Sequence, residues 1–282
     1  KKKSLEELIR GPEPEAVIYK RIDGKELKLY LCRPETGAAV SPAVLCIHGG
    51  GWHSETPARM FPHIRYFASL GYVAVAAEYR LKTEKTTLEV CLEDCIDALK
   101  YLRENAAALG IDTARITAFG DSAGAYLACC LGSKNILSAH GGTAPVARVI
   151  DLNGIVDLTG AWSYGIADGG EKKSSAAYLE FYRKAKRLSP VWQVSAGDSP
   201  VAAVHGLSDS IVEVRDSVRY CDALKACGVE AELVLLENKE HAFILFDYNT
   251  ENAEVYRILE SLARFWLEAS DEKKLFDRKC AY

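Results

Sequence analysis

Ser122 is the residue whose surroundings most clearly predict chemistry. It stands between Gly120 and Gly124, directly after the short apolar run Ile116–Phe119. A strand that turns sharply into a helix here would hold the serine in a strained backbone conformation, and the glycines would prevent a collision with neighbouring backbone. The serine hydroxyl would then project out of the sheet, where a base could make it a nucleophile. The alternative is an ordinary turn in which Ser122 caps the helix.

A run of three glycines could supply the backbone N–H donors that a serine nucleophile needs. Gly49 to Gly51 follow a second apolar segment, Ala43–Ile47. Glycines let backbone N–H groups turn toward a ligand without obstruction, and two such donors stabilise the oxyanion that develops in acyl transfer. We therefore predict an oxyanion hole formed by the N–H groups of Gly50, Gly51 and Ala123.

An acid and a histidine follow two later segments that are typical of strands. Asp209 comes after Val201–Val204, and His241 comes after Glu232–Leu236. Both would lie at the carboxyl edge of a parallel sheet, which is where open α/β sheets bind ligands. The order predicts a catalytic triad of Ser122, Asp209 and His241. In it the histidine accepts the serine proton and the aspartate orients the imidazole.

Other acids and histidines fit these roles less well. Asp157 also follows a strand and is the second choice for the acid, whereas Asp121 should point away from the base. Asp198 precedes its strand and would lie at the opposite edge of the sheet. Because His48 begins the glycine run, we expect it to orient that loop. His63 has no supporting pattern and is expected at a surface or loop position.

Strands and helices alternate along the chain, which predicts an α/β fold with a mostly parallel sheet and helices on both faces. Eight strands are expected, the first two joined as an antiparallel hairpin at Asp23-Gly24. The predicted strands are Ala16–Ile22, Glu26–Cys32, Ala43–Ile47, Tyr72–Ala77, Ile116–Phe119, Arg148–Leu152, Val201–Val204 and Glu232–Leu236. The predicted helices are Met60–Leu70, Leu88–Ala108, Ala123–Leu131, Val212–Cys227 and Glu251–Ala269.

Residues 1–282 are expected to form a single domain with one small insertion near the site. Residues 154–190 contain no clean strand, but they are rich in aromatic side chains: Trp162, Tyr164, Tyr178, Phe181 and Tyr182. A long insertion in a compact α/β domain is usually a lid or a substrate-binding loop. A pair of surface helices that pack their aromatic residues onto the core is an equal alternative.

The composition argues against several classes of partner. The chain has a net charge of −4 and no long basic run, so nucleic acid is not expected. No apolar run approaches the roughly 20 residues that span a bilayer. No metal is predicted, because the nine cysteines form no Cys-x-x-Cys motif and the histidines show no paired spacing. No organic cofactor is predicted either.

Many buried, unpaired thiols favour a location in the cytoplasm, and secretion or a periplasmic location is open if a leader was removed. A monomer or a homodimer is expected.

The motif HGGGW at residues 48–52, together with GDSAG at residues 120–124, resembles the α/β-hydrolase superfamily, specifically its hormone-sensitive-lipase-like esterases. HGLSD at 205–209 and HAF at 241–243 resemble the carbohydrate-esterase branch that includes acetylxylan and feruloyl esterases. EYRL at 78–81 departs from the family's Asp/Asn-Tyr-Arg-Leu only at its first position. The resemblance implies an α/β-hydrolase fold and a serine carboxylic-ester hydrolase. The implied substrates are short-chain acyl esters, including acetylated or feruloylated carbohydrate.

The aromatic residues beside these motifs are candidates for substrate binding. Trp52 follows the glycine run and Phe243 follows the histidine, so both are predicted pocket walls, although core packing explains Phe243 equally well. Two other functions stay open. An arylformamidase shares the glycine loop and the Ser-Ala-Gly turn. Some relatives are ligand-binding receptors that have lost the base, but Ser122, Asp209 and His241 together argue against this.

Overall fold

The computed structural model describes residues 3–35, 39–160, 175–246 and 252–263. In chain order its strands, β1 to β8, are Glu15–Ile22, Lys25–Cys32, Ser41–Ile47, Val73–Ala77, Ile111–Asp121, Arg148–Leu152, Val201–Gly206 and Ala231–Leu236. The α-helices of the described residues, α1 to α9, are Leu5–Arg10, Phe61–Ser69, Leu88–Glu104, Ala106–Leu109, Ala123–Gly132, Lys134–Ala139, Ala176–Leu188, Val214–Ala226 and Asn252–Leu262.

The strands form one eight-stranded sheet in the order β1-β2-β4-β3-β5-β6-β7-β8. β1 and β2 pair antiparallel, β2 pairs antiparallel with β4, and every other pair is parallel. At the hairpin turn Asp23 and Gly24 both have positive φ, 51° and 73°, which is the geometry that matches the twist of paired strands. The predicted α/β-hydrolase sheet with its N-terminal hairpin is therefore confirmed.

Apolar residues on the central strands face two separate cores, one on each side of the sheet. In β3, Leu45 and Ile47 belong to the core that α3 and α5 cover, while Val44 and Cys46 belong to the core that α2 and α9 cover. This alternation explains why the strand reads as a continuous apolar run. The cysteines expected to act as small hydrophobic residues are all buried: Cys46, Cys91, Cys95, Cys129 and Cys130.

Several local predictions differ from the structure. The helix expected over Leu88–Ala108 divides at Asn105 into α3 and α4. The sequence missed α1 and α6, because six residues carry too little periodicity to predict a helix. His63 was expected at the surface and is instead fully buried in α2, where its Nε2–H donates to the carbonyl of Ile244 at 2.9 Å. The expectation was wrong because α2 is buried on nearly all sides.

Part of the predicted insertion can be located. Within residues 154–190 the structure places α7, along which the ring of Tyr178 lies 6.4 Å from that of Phe181 and 6.1 Å from that of Tyr182. Trp162 and Tyr164 lie outside the described residues. The single-domain organisation and the lid function of this segment stay predictions. None of the described helices combines the length and the hydropathy needed to cross a membrane.

The contact between β3 and α5 depends on glycine at position 124. A Cβ there would overlap the carbonyl oxygens of Ile47 and His48. We expect Gly124→Ala to lower the free energy of unfolding by about 3 kcal/mol or more. The clashing atoms belong to the backbone, which cannot move aside as the end of a flexible side chain can. Urea denaturation measures this loss. The matched control is Gly160→Ala, where an added Cβ meets nothing within 4 Å. Equal losses in the two variants would contradict this account.

Candidate active site

Ser122 occupies a sharp turn between the end of β5 and the start of α5. Its backbone has φ 52° and ψ −120°, a conformation that costs on the order of 1–3 kcal/mol for a residue other than glycine. The amide of Ser122 donates to the carbonyl of Leu152 on β6 at 2.8 Å, which fixes the turn against the sheet. The side chain makes no capping hydrogen bond to α5. The alternative of a simple helix cap is therefore excluded, and the hydroxyl is available for another partner.

The structure brings Ser122, His241 and Asp209 into one hydrogen-bonded chain. Nε2 of His241 lies 2.8 Å from Oγ of Ser122, and Nδ1 of His241 lies 2.7 Å from Oδ2 of Asp209. The three residues follow β5, β8 and β7, whose carboxyl ends lie at the same edge of the sheet. A carboxylate oxygen can only accept a hydrogen bond from Nδ1–H. This arrangement leaves Nε2 free to accept the serine proton.

Asp209 is held as a carboxylate. Burial by itself would raise the pKa of this carboxyl, but hydrogen bonds from His205, His241 and the backbone N–H of Val212 hold it well below its ordinary value. His205 lies 3.2 Å from Oδ2, and the amides of Ile211 and Val212 each donate to Oδ1 at 2.9 Å. A carboxylate at this position can accept the Nδ1–H of His241 and so fix the orientation of the ring. Sequence reasoning did not assign a role to His205.

The glycine loop after β3 has the backbone conformation that its sequence predicts. Gly50 and Gly51 have φ of 104° and 62°, and Trp52 follows with φ 66°. Within the described part of the chain, the N–H groups of Gly50, Gly51 and Ala123 donate no hydrogen bond. Ala123 is also the first residue of α5, where the positive end of the helix dipole favours an anion. Three uncommitted donors are thus available next to the serine turn.

His48 holds this loop, as its position in the sequence indicated. Its Nδ1–H donates to the carbonyl of Gly49 at 2.8 Å, and its ring stacks on Tyr79 with centroids 4.5 Å apart. The hydroxyl of Tyr79 donates to the carbonyl of His48 at 2.9 Å. Burial lowers the pKa of His48 to about 4, so the ring is neutral at pH 7. The imidazole therefore acts as a fixed structural group here.

Asp121 links the glycine loop to the serine turn, a role that the sequence did not reveal. Its Oδ1 accepts the N–H of Gly49 at 2.9 Å, and the side chain is buried. Burial raises the pKa of Asp121 to about 6, while the hydrogen bond from Gly49 opposes the rise. His241 pairs with Asp209 and not with Asp121, as expected.

We expect Asp121→Ala to lower kcat for an ester by about 10–100-fold with little change in KM, because a loosened loop presents its N–H groups less accurately to the oxyanion. Steady-state kinetics with a p-nitrophenyl ester measures the two constants. Asp121→Asn is the control, since its amide oxygen still accepts from Gly49 and kcat should stay within about threefold of the parent. An equal fall in both variants would show that the charge, and not the hydrogen bond, matters.

The two predicted pocket walls are both buried. Trp52 is 1% exposed, and its indole N–H donates to the carbonyl of Ala123 at 3.0 Å, which ties the glycine loop to α5. The ring meets Tyr126 edge-on, with centroids 5.4 Å apart. Phe243 is 4% exposed and belongs to the core that α2 covers. Packing explains both positions, and their contact with a substrate stays a prediction.

The competing acids have other partners. Asp157 accepts from the indole N–H of Trp192 at 3.1 Å and from Arg219 at 2.8 Å, which joins the loop after β6 to α8. Asp198 accepts the N–H of Lys134 at 2.9 Å and so caps α6. Neither carboxylate makes a hydrogen bond to His241 in the described structure.

Asn153 is a polar neighbour of the histidine that the sequence did not predict. It follows β6 with φ 46°, and its N–H donates to the carbonyl of Val204 at 2.9 Å. Its side-chain amide lies 3.4 Å from Nδ1 of His241. Sequence offers one weak signal for it, a polar residue directly after a buried strand. Asn153 is itself fully buried beside the imidazole.

Comparison with known proteins agrees with this geometry. The BD-FAE family profile matches residues 27–224. Esterase 2 of Thermogutta terrifontis has been solved with propionate and with butyrate, and the two structures superpose with TM-scores of 0.80 and 0.78 at 30% identity. The propionate complex covers 94% of this chain and 97% of its own, and the butyrate complex 92% and 95%.

A curated relative extends the comparison to plants. Isoprenylcysteine alpha-carbonyl methylesterase of Arabidopsis thaliana is 25% identical over 240 residues, 80% of this chain. The chain spans 56% of the length of that relative. The matched family profile, the eight-stranded fold and the esterase structures agree: this chain belongs to the BD-FAE family of α/β-hydrolase esterases.

Proposed function

We propose that the protein is a serine carboxylesterase that works through Ser122, His241 and Asp209. The observation that carries this proposal is the hydrogen-bonded chain of these three side chains beside three uncommitted backbone N–H donors. Nucleophile, base, orienting acid and oxyanion donors are the four parts that acyl transfer to serine requires. Each of them follows the carboxyl end of a parallel strand, so a rigid sheet positions them.

In the acylation step Oγ of Ser122 attacks the ester carbonyl carbon while its proton passes to Nε2 of His241. The carbonyl oxygen becomes an oxyanion, which the N–H groups of Gly50, Gly51 and Ala123 stabilise. Asp209 stabilises the imidazolium and keeps its Nδ1–H in place. When the tetrahedral intermediate collapses, the C–O bond of the ester breaks and His241 gives its proton to the leaving alcohol. The product of this half-reaction is an acyl-serine.

In the second half-reaction water takes the place of the alcohol. His241, neutral again, accepts a proton from water as its oxygen attacks the acyl carbon, and the same N–H groups hold the second oxyanion. The intermediate collapses, the bond to Oγ breaks, and His241 returns the proton to Ser122. The carboxylic acid leaves, and the enzyme has neither gained nor lost a proton.

Short acyl groups are the proposed substrates. The esterase of Thermogutta terrifontis with the same fold has been solved with propionate and with butyrate, acids of short acyl chains. The resemblance in the sequence motifs extends the proposal to acetylated or feruloylated carbohydrate as the alcohol side. Trp52 and Phe243 remain the proposed aromatic walls.

A series of p-nitrophenyl esters from C2 to C12 tests this proposal, run beside methyl ferulate and acetylated xylan. We expect kcat/KM to be greatest at two to four carbons and to fall steeply beyond that. A maximum at long chains would imply a deep acyl tunnel and a lipase-like role. N-formylkynurenine is the control for the arylformamidase alternative, and turnover of it above that of p-nitrophenyl acetate would assign an amide substrate instead.

A further inference from the structure

His241 lies farther from its strand than the other two residues of the site do. Ser122 directly follows β5, Asp209 lies three positions past the end of β7, and His241 lies five positions past the end of β8. A loop is held less firmly than a strand end, because fewer ladder hydrogen bonds fix its backbone. The backbone of Ala242 has φ 60°, and its carbonyl accepts the N–H of Leu245 at 3.1 Å, so the chain turns directly after the histidine. The orientation of the base therefore depends on what holds this turn.

A second histidine contacts the far side of the turn. Nε2–H of His63, on α2, donates to the carbonyl of Ile244 at 2.9 Å. Since a carbonyl oxygen can only accept, Nε2 carries the ring proton. Both residues are fully buried, so water does not compete for the bond. Burial lowers the pKa of His63 to about 4, so the ring is neutral at pH 7 and keeps one N–H for this bond.

The ring of His63 also contacts the strand that carries the serine. Its centroid lies 5.6 Å from that of Phe119, which stands on β5 three residues before Ser122. On the other side it lies 5.3 Å from the ring of Phe246, which follows the turn. Tilted and edge-on contacts at these distances are favourable for aromatic rings. One side chain thus contacts both the strand that leads to the nucleophile and the segment that follows the base.

An imidazole is not the ring that core packing alone would favour at position 63. Its Nδ1 is buried and has no hydrogen-bond partner among the described residues. A buried acceptor without a donor destabilises the fold, a cost that a phenyl ring in the same space would not incur. A phenyl ring would, however, leave the carbonyl of Ile244 without this N–H donor. What the imidazole supplies, and a phenyl ring would not, is the bond to the turn.

We propose that His63 is a positioning residue for the base: its bond to Ile244 holds the turn that follows His241. The proposal rests on the proposed esterase function, because positioning matters only if His241 is the base. Proton transfer needs Nε2 of His241 at its 2.8 Å approach to Oγ of Ser122, and a displacement of about 1 Å can cost on the order of 10²-fold in rate. His63 itself takes no part in the proton transfer.

His63→Phe tests the proposal, because it keeps an aromatic ring and removes the N–H. We expect kcat for p-nitrophenyl acetate to fall about 10–100-fold, with KM within about threefold of the parent. His63→Gln carries an amide N–H at a similar distance along the side chain and should keep kcat within about fivefold of the parent. Each kcat is divided by the burst amplitude, so that a loss of folded enzyme is not counted as a loss of rate. Equal falls in the two variants would overturn the proposal, and so would a kcat of His63→Phe within threefold of the parent.

Ile64→Val is the matched control from the same helix. Ile64 is fully buried in α2, so the loss of one methyl group should lower Tm by a few degrees. If His63 acts only through the packing of α2, the control should lose a similar share of kcat. We expect instead that its kcat stays within about twofold of the parent.

Hydrogen exchange examines the turn without reference to activity. By mass spectrometry the peptide that covers residues 241–246 should exchange at least tenfold faster in His63→Phe than in the parent, and at the parent's rate in Ile64→Val. Unchanged exchange in His63→Phe would show that the bond does not hold the turn and would overturn the proposal. If the parent itself fails to hydrolyse the ester, the proposed function is wrong, and exchange still decides whether His63 holds the turn.

Discussion

Replacement of Ser122 by alanine is expected to lower kcat for a short-chain p-nitrophenyl ester by about 10⁴–10⁶-fold, because no acyl-serine can form without Oγ. The residual rate should exceed that in water, since the N–H groups of Gly50, Gly51 and Ala123 remain. Alanine keeps the Cβ at the strained φ of 52°, so Tm should change by no more than a few degrees. Steady-state kinetics and thermal denaturation measure the two effects.

Ser138→Ala is the matched control for this prediction. Ser138 is an exposed residue of α6, so its loss should leave both kcat and Tm near those of the parent. A stoichiometric burst of p-nitrophenol in the parent, absent from Ser122→Ala, would identify the serine as the group that is acylated. An Ser122→Ala variant that keeps more than about a tenth of the parent's kcat would remove Ser122 from the mechanism.

The positions of Ser122, Asp209 and His241 could be predicted because each follows a strand. In a parallel sheet the carboxyl ends of neighbouring strands lie side by side, so residues far apart in sequence meet without any knowledge of side-chain packing. Ser122 and His241 are 119 positions apart in the sequence, yet Oγ of Ser122 lies 2.8 Å from Nε2 of His241. The glycine loop could be predicted for a similar reason, since three glycines permit the positive φ values that the loop adopts.

The residues that support the site could not be predicted in the same way. Asp121 accepts from Gly49, Trp52 donates to Ala123, and the amide of Asn153 lies beside His241. These contacts depend on side-chain directions and on how closely α5 approaches β3, which local sequence patterns do not encode. The burial of His63 could not be predicted for the same reason, because it follows from the packing of α2 against the chain near Ile244.

Asp209→Asn is the second substitution with a large expected effect, a fall in kcat of about 10⁴-fold. The amide can donate a hydrogen bond to Nδ1 of His241, which would place the ring proton on Nε2, where it blocks acceptance of the serine proton. The variant should also be less stable at pH 7. The folded-state pKa of Asp209 lies below the unfolded value of about 4, so its contribution to stability is present above that pH and is lost in acid. The difference in Tm between parent and variant should therefore shrink as the pH falls below about 4.

Asp157→Asn tests whether Asp209 or Asp157, the second choice from the sequence, is the acid that orients His241. Asp157 holds Arg219 at 2.8 Å and Trp192 at 3.1 Å, contacts that fix the loop after β6 and do not involve His241. The Arg219 side chain is 45% exposed and the asparagine amide can still accept hydrogen bonds from it and from Trp192, so the substitution should cost only about 1 kcal/mol of stability, and kcat should stay within about threefold. Kinetics of both variants between pH 5 and 9 decide between the two carboxylates. If Asp157→Asn is the inactive variant and Asp209→Asn retains its rate, then the hydrogen bond between His241 and Asp209 is not the one that orients the base.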